Sequence, residues 1–99
     1  MSKFEVDIES WIETRFSNRE KALRIIEPIL QLDSKISASR VTRCVLFLSG
    51  SDYEQLASYT EKAIADCRDV IWWAEYDNRT AKVRDFEKAL TEQIDMTVY

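Results

Sequence analysis

One glycine and one proline punctuate a chain of 99 residues, so tight turns are scarce and long segments must run without a break. Ordinary proteins use roughly 7% Gly and 5% Pro, and a sandwich or barrel of many short strands needs more turn residues than are present here. An all-α fold remains. Apolar residues at 45% and charged residues at 32% supply both a core and a solvated surface, which argues against intrinsic disorder. The length accommodates one helical domain over residues 1–99 and excludes a two-domain enzyme.

Hydrophobic spacing then divides the chain. Ser2 and Glu5 stand at capping-box spacing, and Phe4, Ile8, Trp11, Ile12 and Phe16 recur at helical intervals behind them. Ser17 and Glu20 repeat the capping pattern, which predicts a bend or short break. From Ala22 to Leu32 the apolar residues cover more than half of a helix circumference, and Pro28 predicts a kink near residues 24–28, because proline removes a backbone hydrogen bond and clashes with the preceding turn. Residues 33–37 read as a connection.

The second half is more regular. Ser37 or Ser39 can cap a helix that carries Cys44-Val45-Leu46-Phe47-Leu48, apolar on every face and therefore central. Five apolar residues could also form a buried strand, but nothing else in the pattern offers that strand a partner. Gly50 supplies a left-handed helix stop, and Ser51 with Glu54 supplies the next cap. Tyr53, Leu56, Thr60, Ala63, Cys67, Val70 and Ala74 then alternate in steps of three and four, predicting one uninterrupted helix from Ser51 to Asn78 with residues 52–76 as its regular body. Asp77-Asn78 reads as its stop, and Val83, Phe86, Leu90 and Ile94 as the stripe of a last helix. The expected architecture is a compact bundle of four to five helices.

Charge narrows the chemistry. Residues 52–78 carry seven acidic and two basic side chains, so the surplus behind the overall −4 falls on one helix. Such a balance repels nucleic-acid backbones and anionic lipid, which are bound by Lys and Arg. A helix-turn-helix reading of residues 40–66 fails for the same reason. There is no histidine, so the commonest general base and zinc ligand are missing, and Ser, Thr and Cys have no imidazole to activate them. No apolar run approaches the roughly 20 residues of a membrane span, and no leader pattern opens the chain, which predicts a cytoplasmic protein. Cys44 and Cys67 lie in apolar segments; in a hairpin about Gly50 they would be offset by roughly 16 Å, too far for a disulfide.

The densest candidate site is residues 66–77. Asp66, Arg68, Asp69, Trp72, Trp73, Glu75, Tyr76 and Asp77 gather three aromatics and five charges there. Adjacent indoles lie about 100° apart around a helix, so Trp72 and Trp73 cannot both enter one seam; one can pack inside while the other meets a partner. Tryptophan is a frequent interface anchor, which favours a protein contact over a small-molecule pocket. The plainer alternative is a solvated acidic face with both indoles in the core. Asp66 and Asp69, one turn apart, could hold Mg²⁺. The E-x-x-E half of an all-α nucleotide phosphohydrolase motif is absent, however, and its E-x-x-D half occurs once, at Glu92 and Asp95. Arg40 and Arg43 are expected in structural ion pairs, a guanidinium fork on Asp66 or Asp69 orienting one helix against another, with an anion or phosphate pocket as the alternative.

The series Arg43-Cys44-Val45-Leu46-Phe47-Leu48, Gly50, Arg68-Asp69-Val70-Ile71, Ala74-Glu75-Tyr76-Asp77 and Arg84-Asp85-Phe86 resembles a small group of uncharacterised bacterial all-helical proteins over roughly residues 43–86. The resemblance implies a helical fold and brings no activity, ligand or partner. Aromatic content of 11% exceeds what so short a chain easily covers, so self-association into a homodimer is expected. The sequence therefore points to an acidic, Trp-rich protein-interaction or regulatory module without cofactor or resident metal. A Mg²⁺-dependent phosphohydrolase using Asp66 and Asp69 is the alternative.

Overall fold

A computed structural model describes residues 4–32, 36–76, 84–86 and 90. Its described elements are helical throughout: α1 (Val6–Arg15), α2 (Arg19–Ile26), a 3₁₀ turn (Glu27–Gln31), α3 (Ala38–Ser49), α4 (Tyr53–Ala65), α5 (Cys67–Ile71) and a π-helical turn (Trp72–Tyr76). The predicted all-α bundle is the observed one.

The caps explain most boundaries. Phe16 is extended, and Asn18 restarts the chain by accepting a hydrogen bond from the Lys21 amide at 3.1 Å, so the break falls where expected. The capping residue is Asn18 rather than Ser17, whose hydroxyl instead meets the Tyr53 hydroxyl at 3.3 Å. Pro28 ends α2 as an α-helix; the chain continues as the 3₁₀ turn, with the ring near its start, where a missing N–H is least costly. Ser37 caps α3 through the Arg40 amide. Ser2 and the predicted stop at Asp77-Asn78 lie outside the described residues.

α3 is the central element. Every residue from Val41 to Leu46 is buried, and the helix packs on α1, α4, α5, the 3₁₀ turn and the π turn. A helix with apolar residues on all sides gains only when it is surrounded, since each fully buried Val or Leu side chain is worth about 1.5–3 kcal/mol relative to exposure. Its buried polar residue Thr42 returns its hydroxyl to the Ala38 carbonyl four residues back, which leaves no unsatisfied donor there.

Gly50 turns the chain as glycine is needed to do, with a different geometry from the one expected. Its φ of 64° is positive, but its ψ of −113° lies outside the left-handed helical region. With the Asp52 amide bonded to the Ser49 carbonyl at 3.3 Å, this places Gly50 second in a type II′ turn. Asp52, not Ser51, then caps α4 through the amides of Glu54 and Gln55.

The single rod from Ser51 to Asn78 is not formed. Asp66 is extended, with φ −159° and ψ 101°, and its carboxylate accepts from the Arg68 amide at 3.1 Å, so it closes α4 and caps α5. A short Asp side chain competes with the helical ladder for backbone N–H groups, and here it wins. The apolar seam survives the interruption: Leu56, Thr60, Ala63, Val70 and Ala74 are all buried, with Tyr53 and Cys67 partly covered. Of the predicted last stripe, Phe86 and Leu90 are described and both are buried.

Candidate functional site

The break at Asp66 divides the predicted site between surface and interior. Asp66 has two tasks at once, capping α5 and receiving Arg68 Nε and Nη2 on its two oxygens, each at 3.1 Å. The hydrogen bond from the Arg68 side chain, followed by the one from its amide, holds the Asp66 carboxyl below its ordinary value. Asp69 and Arg68 are exposed on the same short helix. Among the described residues no group of three metal-ligating side chains is assembled.

Trp72 and Trp73 part as their angular separation requires. Trp72 is 53% exposed, among the few large apolar side chains the described residues present to solvent. Trp73 leans inward: its ring meets Tyr59 edge-on at 6.1 Å, with Lys62 Nζ 5.8 Å from its centre. Both start on the π turn, where the widened helix rotates successive side chains by less than in an α-helix. Such turns are uncommon and recur at functional positions. Tyr76 is half-buried, and Asp77 lies outside the described residues.

Behind α5, a shallow groove of about 280 Å³ runs between the ends of the 3₁₀ turn and α4. It is lined by Leu32, Ile36, Ala63, Ile64 and Cys67, with Asp66 and Arg68 at its edge. Ile64 is 45% exposed there.

Glu75 is a correction. Expected on the contact surface, it is fully buried and accepts from Arg40 Nε at 2.9 Å and Nη2 at 2.7 Å. Its Oε2 also receives the Phe86 amide at 3.0 Å. The position follows the buried Ile71 by four residues, so it shares that inward face, and the guanidinium fork compensates the charge that face must accommodate.

Arg43, unlike the half-buried Arg40, is a buried cation. It donates to both oxygens of Asp7, at 3.0 and 3.1 Å, to a Glu5 oxygen and to the Phe86 carbonyl at 3.1 Å. Asp7 in turn accepts from the Leu90 amide at 3.1 Å. Burial pushes the Asp7 carboxyl up, but the hydrogen bonds from Arg43 and Leu90 and the charge of the guanidinium outweigh it and hold the group below its usual value. Arg40 and Arg43 thus form structural ion pairs as predicted, with Glu75, Asp7 and Glu5 in place of Asp66 or Asp69. The roles of Glu5 and Asp7 carried no sequence signal beyond their place at the start of a helix.

Cys44 is buried, Cys67 half-buried, and no disulfide joins them. No protein family, curated protein or solved structure matches this chain.

Proposed function

We propose that this chain is a protein-interaction module, a helical binding domain that pairs with a second copy of itself through the Trp72 surface of α5 and the π turn. The observation that carries the reading is Trp72, held 53% exposed while its neighbour Trp73 packs inward. An indole loses much of its contact with water when covered and few rotamers when fixed, which is why tryptophan anchors interfaces. Arg68 and Asp69 beside it carry opposite charges within one turn. A patch with both signs is complementary to itself across a twofold axis, the commonest symmetry of paired subunits. We assign the module to the cytoplasm and to the bacterial all-helical proteins that its middle segment resembles. No described helix is long and apolar enough to cross a membrane.

Nothing in the geometry favours the phosphohydrolase alternative, since both Asp66 oxygens are taken by Arg68. The test is size-exclusion chromatography with light scattering at tens of micromolar. The wild-type chain is expected to run as a dimer and Trp72→Ala as a monomer of unchanged helicity. A wild-type monomer, or a dimer that persists in Trp72→Ala, overturns this reading.

A further inference from the structure

Tyr59 and Lys62 stand three residues apart on α4, so their side chains share a face, and Trp73 joins them from the π turn. Lys62 Nζ lies over both rings at once, 4.9 Å from the centre of Tyr59 and 5.8 Å from that of Trp73. The two ring centres are 6.1 Å apart, with their planes at 67° to each other. The ammonium and the two ring centres therefore form a nearly equilateral triangle: two aromatic faces open towards one point, and a cation of the chain itself fills it.

Such a corner selects for charge as well as for size. The face of an aromatic ring is the negative part of its quadrupole, so a cation within about 6 Å of a ring centre is attracted, and a point shared by two faces gathers both attractions. Tyr59 and Trp73 are partly buried and packed against the core, which holds the corner in place before any ligand arrives. The surroundings are acidic: residues 52–78 carry seven acidic and two basic side chains, and of those two bases Arg68 is engaged by Asp66. Lys62 is the other, with the exposed Glu61 next to it.

The present occupant suits the corner poorly. A lysine ammonium is compact and strongly hydrated on a flexible stem, and Lys62 is exposed, so its head returns to water at little cost. A quaternary ammonium carries the same charge with methyl groups in place of N–H donors. It gives up no hydrogen bonds on leaving water, and its methyl groups pack on ring faces, which is how aromatic sites recognise such cations.

We propose that Tyr59 and Trp73 form a binding corner for a small soluble quaternary ammonium of the choline type, with Lys62 as an internal stand-in that the ligand displaces. The corner leaves Trp72 out, and the inference stands whether or not the chain pairs through that residue.

Titration with choline chloride at constant ionic strength, followed by the indole N–H resonance of Trp73, tests it. The wild-type chain is expected to give a saturable shift, and the neutral isostere of choline, with carbon in place of nitrogen, to give none at the same concentrations. Lys62→Ala removes the stand-in and should tighten choline binding about two- to fivefold, the factor that an exposed cation–π contact of about 0.5–1 kcal/mol represents. Tyr59→Leu removes one face and should abolish the shift. A wild-type chain that gives no saturable shift, or that answers the neutral isostere equally, overturns the proposal, as does a Lys62→Ala variant that binds choline no more tightly than wild type; none of these depends on how well Tyr59→Leu folds. Sedimentation of the chain with phosphatidylcholine vesicles would make the ligand a lipid headgroup and overturn its assignment as a soluble cation.

Discussion

Arg40 and Glu75, 35 residues apart in the chain, meet through a two-pronged contact in which a fully buried carboxylate receives both Nε and Nη2 of one guanidinium. Removing one member leaves the other charged, partly or wholly desolvated and without its partner. Such losses cost about 3–5 kcal/mol, whereas replacing both by apolar residues of similar size is often close to neutral. Arg40→Met alone is therefore expected to lower the urea midpoint sharply, and Arg40→Met with Glu75→Met to recover much of that loss. The recovery stays partial, because the Phe86 amide loses its acceptor in the double variant, which carries the change at Glu75. A double variant no more stable than Arg40→Met would show that the pair holds the helices by more than mutual neutralisation.

Asp7 gives the fold an acid limit of known sign. Its folded-state value is depressed, so its contribution to stability is complete above the unfolded value, about 3.9, and disappears as pH falls through the lower folded value. The stability gap between wild type and Asp7→Asn should be constant from about pH 5 to pH 8 and should close below about pH 4. Urea midpoints for both proteins across that range check it. A gap that widened toward acid would mean that Asp7 is held protonated in the fold, contrary to its contacts with Arg43 and Leu90.

Gly50 separates the two physical reasons for keeping a glycine. A Cβ added there would meet nothing within 4 Å, so space is not the constraint. The backbone is: with φ 64° and ψ −113° an L-residue is strained whatever surrounds it. Gly50→Ala is expected to destabilise by about 1–3 kcal/mol through strain alone, with no change in the packing of α3 on α4. Thermal unfolding followed by circular dichroism measures the loss, and a neutral substitution would contradict the turn geometry.

Much of this fold is legible in residue order, and what is not has identifiable causes. Residues 44–48 announce a central helix because no helix apolar on all sides is stable at a surface, and the seam from Leu56 to Ala74 shows its inward face by spacing alone. The break at Asp66 is within reach of the sequence: Asp66 and Asp69 stand at capping-box-like spacing, as Asp52 and Gln55 do at the start of α4, but the unbroken apolar stripe outweighs that signal. Seam and helix are separable, because a single extended residue can be inserted while the buried positions on either side stay buried. The partners of Arg40 and Arg43 were out of reach. A guanidinium seeks a carboxylate, but which one depends on how α1 and the π turn lie against α3, and that is decided by packing of the whole core. Charge marks Glu75 as a surface residue, although its spacing of four from Ile71 places it inward.

The two indoles provide the sharpest local contrast. Trp72→Ala removes a side chain that is 53% exposed, so the isolated domain should change by within about 0.5 kcal/mol, the usual range for surface substitutions. Trp73→Ala removes a ring packed on Tyr59 and Lys62, and its cost should approach the lower end of the about 3–5 kcal/mol seen when buried aromatic residues are truncated. Acrylamide quenching adds an independent measurement. Of the three tryptophans, Trp72 should be the most accessible in a monomer, so Trp72→Ala should lower the average quenching constant and Trp73→Ala should raise it. In a dimer formed through Trp72 the wild-type quenching falls with rising protein concentration, because the partner covers the ring that water reaches in the monomer. Quenching that is independent of concentration, together with equal destabilisation by the two substitutions, would place both indoles in the same environment and remove the basis for the contact surface.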